Sequence, residues 1–255
     1  MPVSFGAPPA VYYLRFLPEI LLTGFAIVLM VLEPLTGARA KRYMGRIALV
    51  GLFGALAGAA WAGSQGGDAF FGMIVVDGFA SFFRILCIAA GILVVLASID
   101  FMRREAYESG EYYALVLFAT VGMMLVPSGA DLLSLFISLE LMSLSVYVLV
   151  GYLRGDRRSN EAAIKYFMLG AFSSGVLLYG MSLVYGVAGS TRLVDLSVAL
   201  PEALSGDGDA TMLVAVGVAL LVAGVYPLVN HRLQSAGFVA GGRECPCLAA
   251  ADGQA

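Results

Sequence analysis

The sequence predicts an all-α membrane protein, a polytopic bundle of seven transmembrane helices with its N-terminus outside. Three observations carry that fold class. Hydrophobic residues make up 60% of the chain and charged residues 13%, with mean hydropathy +0.89; soluble domains run at about 45–50% and 25%. Seven apolar runs approach or reach the roughly 20 residues that a helix needs to cross the hydrocarbon core. Lys and Arg concentrate in alternate connections between those runs, the asymmetry that orients membrane helices. This composition excludes disorder, and a net charge of −3 without a basic face excludes nucleic acid as a partner. Cys87, Cys245 and Cys247 make neither a disulfide framework nor a zinc or haem site.

The first span covers about 14–32. Pro18 is tolerated early in a helix, Glu19 follows it, and Glu33 with Pro34 closes the run. Ala38-Arg39-Ala40 after it mimics a signal-peptide cleavage site. A signal peptide carries its positive charges before the apolar run, whereas here they follow it, so the span is expected to be retained. The second span, about 47–63, holds Gly54 and Gly58 beside Ala55 and Ala59, a small-residue surface for helix packing. The third covers about 79–99. The fourth, about 113–126, is short and closed by Pro127, and the link 128–131 makes it an antiparallel neighbour of the fifth, about 132–152. On the fifth, Ser134, Ser138, Met142 and Ser145 form a narrow stripe. The sixth, about 162–187, repeats small-residue spacing at Ala171 and Gly175, and the seventh covers about 212–229. Residues 230–255 contain no further span and are expected to be disordered.

Orientation follows from the connections. Arg39, Lys41, Arg42 and Arg46 lie in the first, Arg103 and Arg104 in the third, and Arg154, Arg157 and Arg158 in the fifth. The second and fourth carry none, and the sixth has only Arg192 beside Asp195, Glu202, Asp207 and Asp209. Basic connections stay inside, which puts the N-terminus outside.

Ionisable groups inside spans carry the functional signal, because a charge at a helix centre costs about 2.5–3.5 kcal/mol on insertion scales. Glu140 is the clearest case, with about two apolar turns on either side. It is too short to snorkel, so it must face the bundle interior, take up a proton or pair with a cation. Ser143 and Tyr147 extend its face. Lys165 lies one turn into the sixth span with Glu161 four residues before it, an order that suits a plain surface ion pair. Arg84 has Asp77 seven residues earlier and is expected to pair with it at the outer interface. Glu33 reads as a hydrated boundary residue, while Glu19 stays undecided between structure and function. Trp61, Tyr12-Tyr13 and Tyr112-Tyr113 fall at span ends as an aromatic belt. No phosphate loop, cysteine cluster or paired membrane histidine occurs, so no nucleotide, iron–sulfur, haem or metal site is expected in this chain.

The run Ser138-Leu139-Glu140-Leu141-Met142-Ser143, within 131–152, resembles the antiporter-like membrane-arm subunits of respiratory complex I. Asn160-Glu161-Ala162-Ala163-Ile164-Lys165-Tyr166-Phe167, Pro18-Glu19-Ile20 and Asp77-Gly78-Phe79-Ala80-Ser81-Phe82-Phe83 narrow the resemblance to the subunit N family of NADH:quinone oxidoreductases, over about 14–225. It implies the first half of an inverted-repeat transporter fold in a translocase of the bacterial plasma membrane. Other subunits would carry NADH, FMN, iron–sulfur clusters and quinone, and the partners would be neighbouring membrane-arm subunits. Glu140 matches the family's fifth-helix glutamate, which pairs with a seventh-helix lysine in gating protons. Lys165 matches a family lysine, which moves its reading from surface pair to proton translocation.

After Gly224 the pattern departs. The family continues with the seventh-helix lysine, a proline, a histidine and a second repeat, whereas this chain reads Val225-Tyr226-Pro227-Leu228-Val229-Asn230-His231-Arg232 and has no lysine after Lys165. A truncated or frameshifted product with an unrelated tail is therefore expected, rather than a metal site of His231, Cys245 and Cys247. The alternatives are a subunit of a related cation/proton antiporter or membrane-bound hydrogenase, which shares Glu140 and the fold, or a non-functional fragment.

Overall fold

A computed structural model describes residues 10–35, 41, 43–63, 66–70, 72–104, 109–155, 157–205 and 208–241. The expectations placed on Ala38-Arg39-Ala40, Arg42, Asp207, Cys245 and Cys247 lie outside the described residues, as do the side chains of Arg104, Arg158, Asp209 and His231. The elements are α1 (Ala10–Arg15), α2 (Leu17–Leu35), α3 (Met44–Gly63), β1 (Gly67–Ala69), β2 (Ile74–Val76), α4 (Gly78–Arg104), α5 (Gly110–Leu125), a 3-10 turn (Val126–Ser128), α6 (Leu132–Val150), α7 (Arg157–Ala188), α8 (Leu193–Ser205) and α9 (Asp209–Gly241).

Among the described residues six helices are long and apolar enough to cross a membrane, namely α2 to α7. The run expected as a seventh span falls on α9, whose apolar stretch Ala210–Tyr226 is shorter. The helical backbone of α9 continues to Gly241.

The chain divides into two compact units, 1–164 with 188–202, and 165–187 with 203–255. In the first, α2, α3, α4 and α5 form a closed ring in which each packs on the next and α5 returns to α2. Helices α2 and α4 occupy opposite corners. The interior is apolar along most of its length, filled by Leu22, Ala26, Leu29, Ala48, Leu52, Ala55, Ile88, Val95, Leu117 and Met124. Apolar residues outside the ring, such as Phe53, Phe82, Leu93 and Val94, are exposed, the arrangement expected where lipid is the solvent.

Small residues bring the helices together, but not all of those expected. On α3 a Cβ at Gly51 would lie 2.8 Å from the Phe25 ring and one at Gly58 would lie 2.9 Å from Leu17, whereas Gly54 meets nothing within 4 Å. The contact row is Gly51, Ala55 and Gly58, one face of the helix, and Gly54 lies off it. The serine stripe of α6 is confirmed as a packing face, since a Cβ at Gly122 of α5 would lie 2.6 Å from the Met142 backbone nitrogen. In the second unit the Ala171 and Gly175 pair is corrected. Gly175 faces open space, and α7 meets α9 through Gly180, Gly217 and Gly224, with a Gly224 Cβ 2.8 Å from the Leu177 backbone.

The ends of the first unit differ. At one, β1 and β2 pair antiparallel with Gly67 opposite Val76, and the Phe70 ring sits against Tyr12, Tyr13 and Phe16 at 6.1, 6.4 and 5.4 Å. Gly67 has φ +123° and Gly72 has φ +80°; a Cβ there would meet Arg15 or Arg192 at 2.7 or 3.0 Å. Only glycine suits both the dihedral and the space. The hairpin extends into later connections through an Ile74–Gly129 bridge, an Asp131–Arg192 bridge and the bonds Ala130 N–H to Met73 O at 3.0 Å and Leu132 N–H to Thr191 O at 2.9 Å. The second, fourth and sixth connections are thus tied by backbone hydrogen bonds. At the other end, Glu33 joins Lys41 and Gly110, Tyr112 stacks edge-on against Tyr152 at 5.3 Å, and Ser159 donates to Val150 O at 2.6 Å.

Candidate functional site

Helix α6 carries the site. Asp131 caps its N-terminus in extended backbone (φ −137°), its carboxylate accepting from Leu133 N–H at 2.8 Å and from the Thr191 hydroxyl at 2.6 Å. An aspartate at this position satisfies the free first-turn donors. Gly151 ends the helix. Its serines turn inward, with Ser138, Ser143 and Ser145 buried and bonded back to the carbonyls of Ser134, Leu139 and Leu141 at 2.6, 2.6 and 2.9 Å. Those bonds neutralise the hydroxyls locally, so the helix packs on α5 as an apolar surface would.

Glu140 stands midway along α6 and is half-buried. On one side of it Ser143 and Tyr147 are buried; on the other, Ile137 and Leu144 are 54% and 51% exposed. The carboxylate therefore sits at the margin between the packed and the open face, and no cation among the described residues pairs with it. Lys165 is exposed on α7, one turn after Glu161, and opens the second unit.

The structure adds a charge pair that the sequence reading missed. Arg84 does not pair with Asp77. Its Nη2 lies 2.8 Å from Glu19 Oε1, both side chains 1% exposed. Asp77 instead caps α4, with Oδ1 accepting from Ala80 N–H at 2.7 Å. Read as a cap ahead of an apolar run, the Asp77-Gly78 step would have released Arg84 to seek another partner.

Glu33 is also corrected. It is not a hydrated boundary residue but is 7% exposed, bonded to Lys41 Nζ at 2.7 Å and accepting from the Gly110 N–H that opens α5. A carboxylate against a helix N-terminus is favoured by the dipole and the free donors there. The hydrogen bond and charge of Glu33 hold the Lys41 ammonium above its ordinary value of 10.5, and burial pushes the Tyr152 phenol upward.

A family model described as NADH:quinone oxidoreductase/Mrp antiporter, TM, matches residues 129–230, which includes Glu140 and Lys165. The chain is 48% identical over 198 residues to NADH-quinone oxidoreductase subunit N 1 of Solibacter usitatus, covering 78% of this chain and 40% of that protein. It is 40% identical over 208 residues to subunit N of Trichlorobacter lovleyi, covering 82% and 42%. Among solved structures it resembles a chain of respiratory complex I from Thermus thermophilus, at TM-score 0.63 and 30% identity, over 81% of this chain and 42% of that one. A chain of the Mrp complex from Dietzia, at TM-score 0.61 and 21% identity over 85% and 40%, shares the fold. The chain spans about two fifths of the length of the curated relatives it matches.

Proposed function

Because the chain is a homologue of the antiporter-like subunit N of NADH-quinone oxidoreductase, we propose that it serves in the membrane arm of that complex. There it couples electron transfer in other subunits to proton translocation. NADH, FMN, iron–sulfur clusters and quinone belong to the assembled complex, and neighbouring antiporter-like subunits are the partners. The membrane is the bacterial plasma membrane, the N-terminus lies outside, and α9 supplies a seventh crossing. Glu140 is the central proton-carrying group and Lys165 a second charge on the route.

The single observation that supports this reading most is the placement of Glu140. A carboxylate at mid-helix, half-buried and without a cation among the described residues, is costly in lipid. Its backbone is held firmly, by the Asp131 cap at one end and the close approach of Gly122 to Met142 in the middle. A functional group on a rigid support keeps its alignment with its neighbours.

The test is proton translocation against electron transfer in membranes whose complex contains the Glu140→Gln chain. The expected outcome is an assembled complex that translocates several-fold fewer protons per electron. Translocation at the wild-type ratio would remove Glu140 from the mechanism.

A further inference from the structure

At the hairpin end of the first unit, Glu19 of α2 and Arg84 of α4 reach across the helix ring and meet inside it at 2.8 Å, both 1% exposed. One guanidinium nitrogen, Nη1, donates to Arg15 O at 3.4 Å. Three further polar atoms there, Glu19 Oε2, Arg84 Nε and Ser81 Oγ, are buried and have no hydrogen-bond partner among the described residues. Ser81 stands one turn before Arg84 on α4 and so shares its face. Gly63 closes against it, where a Cβ would lie 3.1 Å from Ser81 Oγ. The end is further covered by the hairpin, which is fastened through the bond from Arg15 to Asp68 O and the Phe70 ring cluster.

Buried polar atoms in native proteins are nearly always hydrogen-bonded, and a buried ion pair is favourable only when its remaining donors and acceptors are met. The chemistry of this place limits what meets them. Carboxylate and guanidinium cancel, so neither an anion nor a cation gains net attraction. Glu19 Oε2 needs a donor, Arg84 Nε–H needs an acceptor, and the Ser81 hydroxyl serves as either. Water is the small neutral molecule that donates and accepts at once, and internal waters commonly make about three such bonds. We propose that the Glu19–Arg84 pair, with Ser81, forms an internal-water site that completes the pair's hydrogen bonding. The site stands apart from Glu140 and does not rest on the functional reading above.

The test uses the full chain in lipid nanodiscs and infrared difference spectra between ordinary and oxygen-18 water, which isolate the O–H bands of slowly exchanging internal water. The wild type is expected to show such a band. Ser81→Ala removes one of three partners and is expected to fold as the wild type does and to shift or weaken the band. Glu19→Leu/Arg84→Leu removes both charges together and is expected to give folded chain within about twofold of wild type and no band, whereas Arg84→Met alone drops the folded yield about tenfold or more. A wild type without the band, an unchanged band in Ser81→Ala, or a double variant that keeps the band or folds no better than Arg84→Met overturns the proposal.

Discussion

Glu19 and Glu140 are both carboxylates in helices apolar enough to cross a membrane, yet their surroundings treat them oppositely. Glu19 is enclosed in the helix ring, its charge met by Arg84 at 2.8 Å. Glu140 sits half-buried beside the exposed Ile137 and Leu144 and has no cation among the described residues. Burial depth sets the cost of a charge in both places. What differs is who pays it, and that decides the role. An arginine never gives up its proton in a protein, so a carboxylate enclosed against one faces a permanent counter-charge and serves packing. The proton-carrying role proposed above falls to the carboxylate without such a partner, Glu140.

The sharpest way to break this contrast is at the locked pair. Arg84→Met leaves the Glu19 charge buried and uncompensated, and thermal unfolding in detergent is expected to show a loss of about 3–5 kcal/mol. A loss near zero would mean that Glu19 is no more constrained than Glu140. Gly122→Ala pushes a Cβ to 2.6 Å from the Met142 backbone, with an expected loss of about 1–3 kcal/mol. Because α6 must shift, proton translocation falls as well, which a purely local clash on a passive helix would not produce. Thr191→Val removes the 2.6 Å bond to Asp131 and is expected to lower stability by about 1 kcal/mol, measured by the same unfolding. Glu140→Gln keeps the side chain's shape and is expected to change stability by less than about 0.5 kcal/mol. A destabilisation rivalling that of Arg84→Met would make Glu140 structural too.

The smallest effect concerns the opposite rim. Lys41 is raised above 10.5 by Glu33, so its contribution is fully present below that value and is lost as pH rises through the folded pKa. The stability difference between wild type and Lys41→Met is therefore expected to vanish in strong alkali. A difference that persists there would show that the lysine acts through packing.

Much of this was legible from residue order alone. Six runs became helices long enough to span, and Glu140 stood out as a candidate because hydropathy makes an interruption conspicuous. Pairing across the bundle was not legible. Asp77 stands at a plausible spacing from Arg84, but Glu19 is 65 positions away and only the ring of α2 to α5 brings it close. Glu33 failed for a similar reason, since depth along α2 gives no hint that the N-terminus of α5 supplies a donor. Small-residue spacing located helix contacts without choosing the face, so Gly58 was right and Gly54 was not. The hairpin had an unused signal: Gly66-Gly67 and Gly72, all at positive φ, shortly ahead of the β-branched run Ile74-Val75-Val76.

The central claim, that Glu140 changes protonation during turnover while Glu19 does not, is tested most directly by infrared difference spectroscopy of the assembled complex energised with NADH. A carboxylic-acid carbonyl band is expected to appear or vanish on energisation in the wild type, to be absent in Glu140→Gln, and to survive in Glu19→Leu/Arg84→Leu. A band that persists in Glu140→Gln would contradict the account.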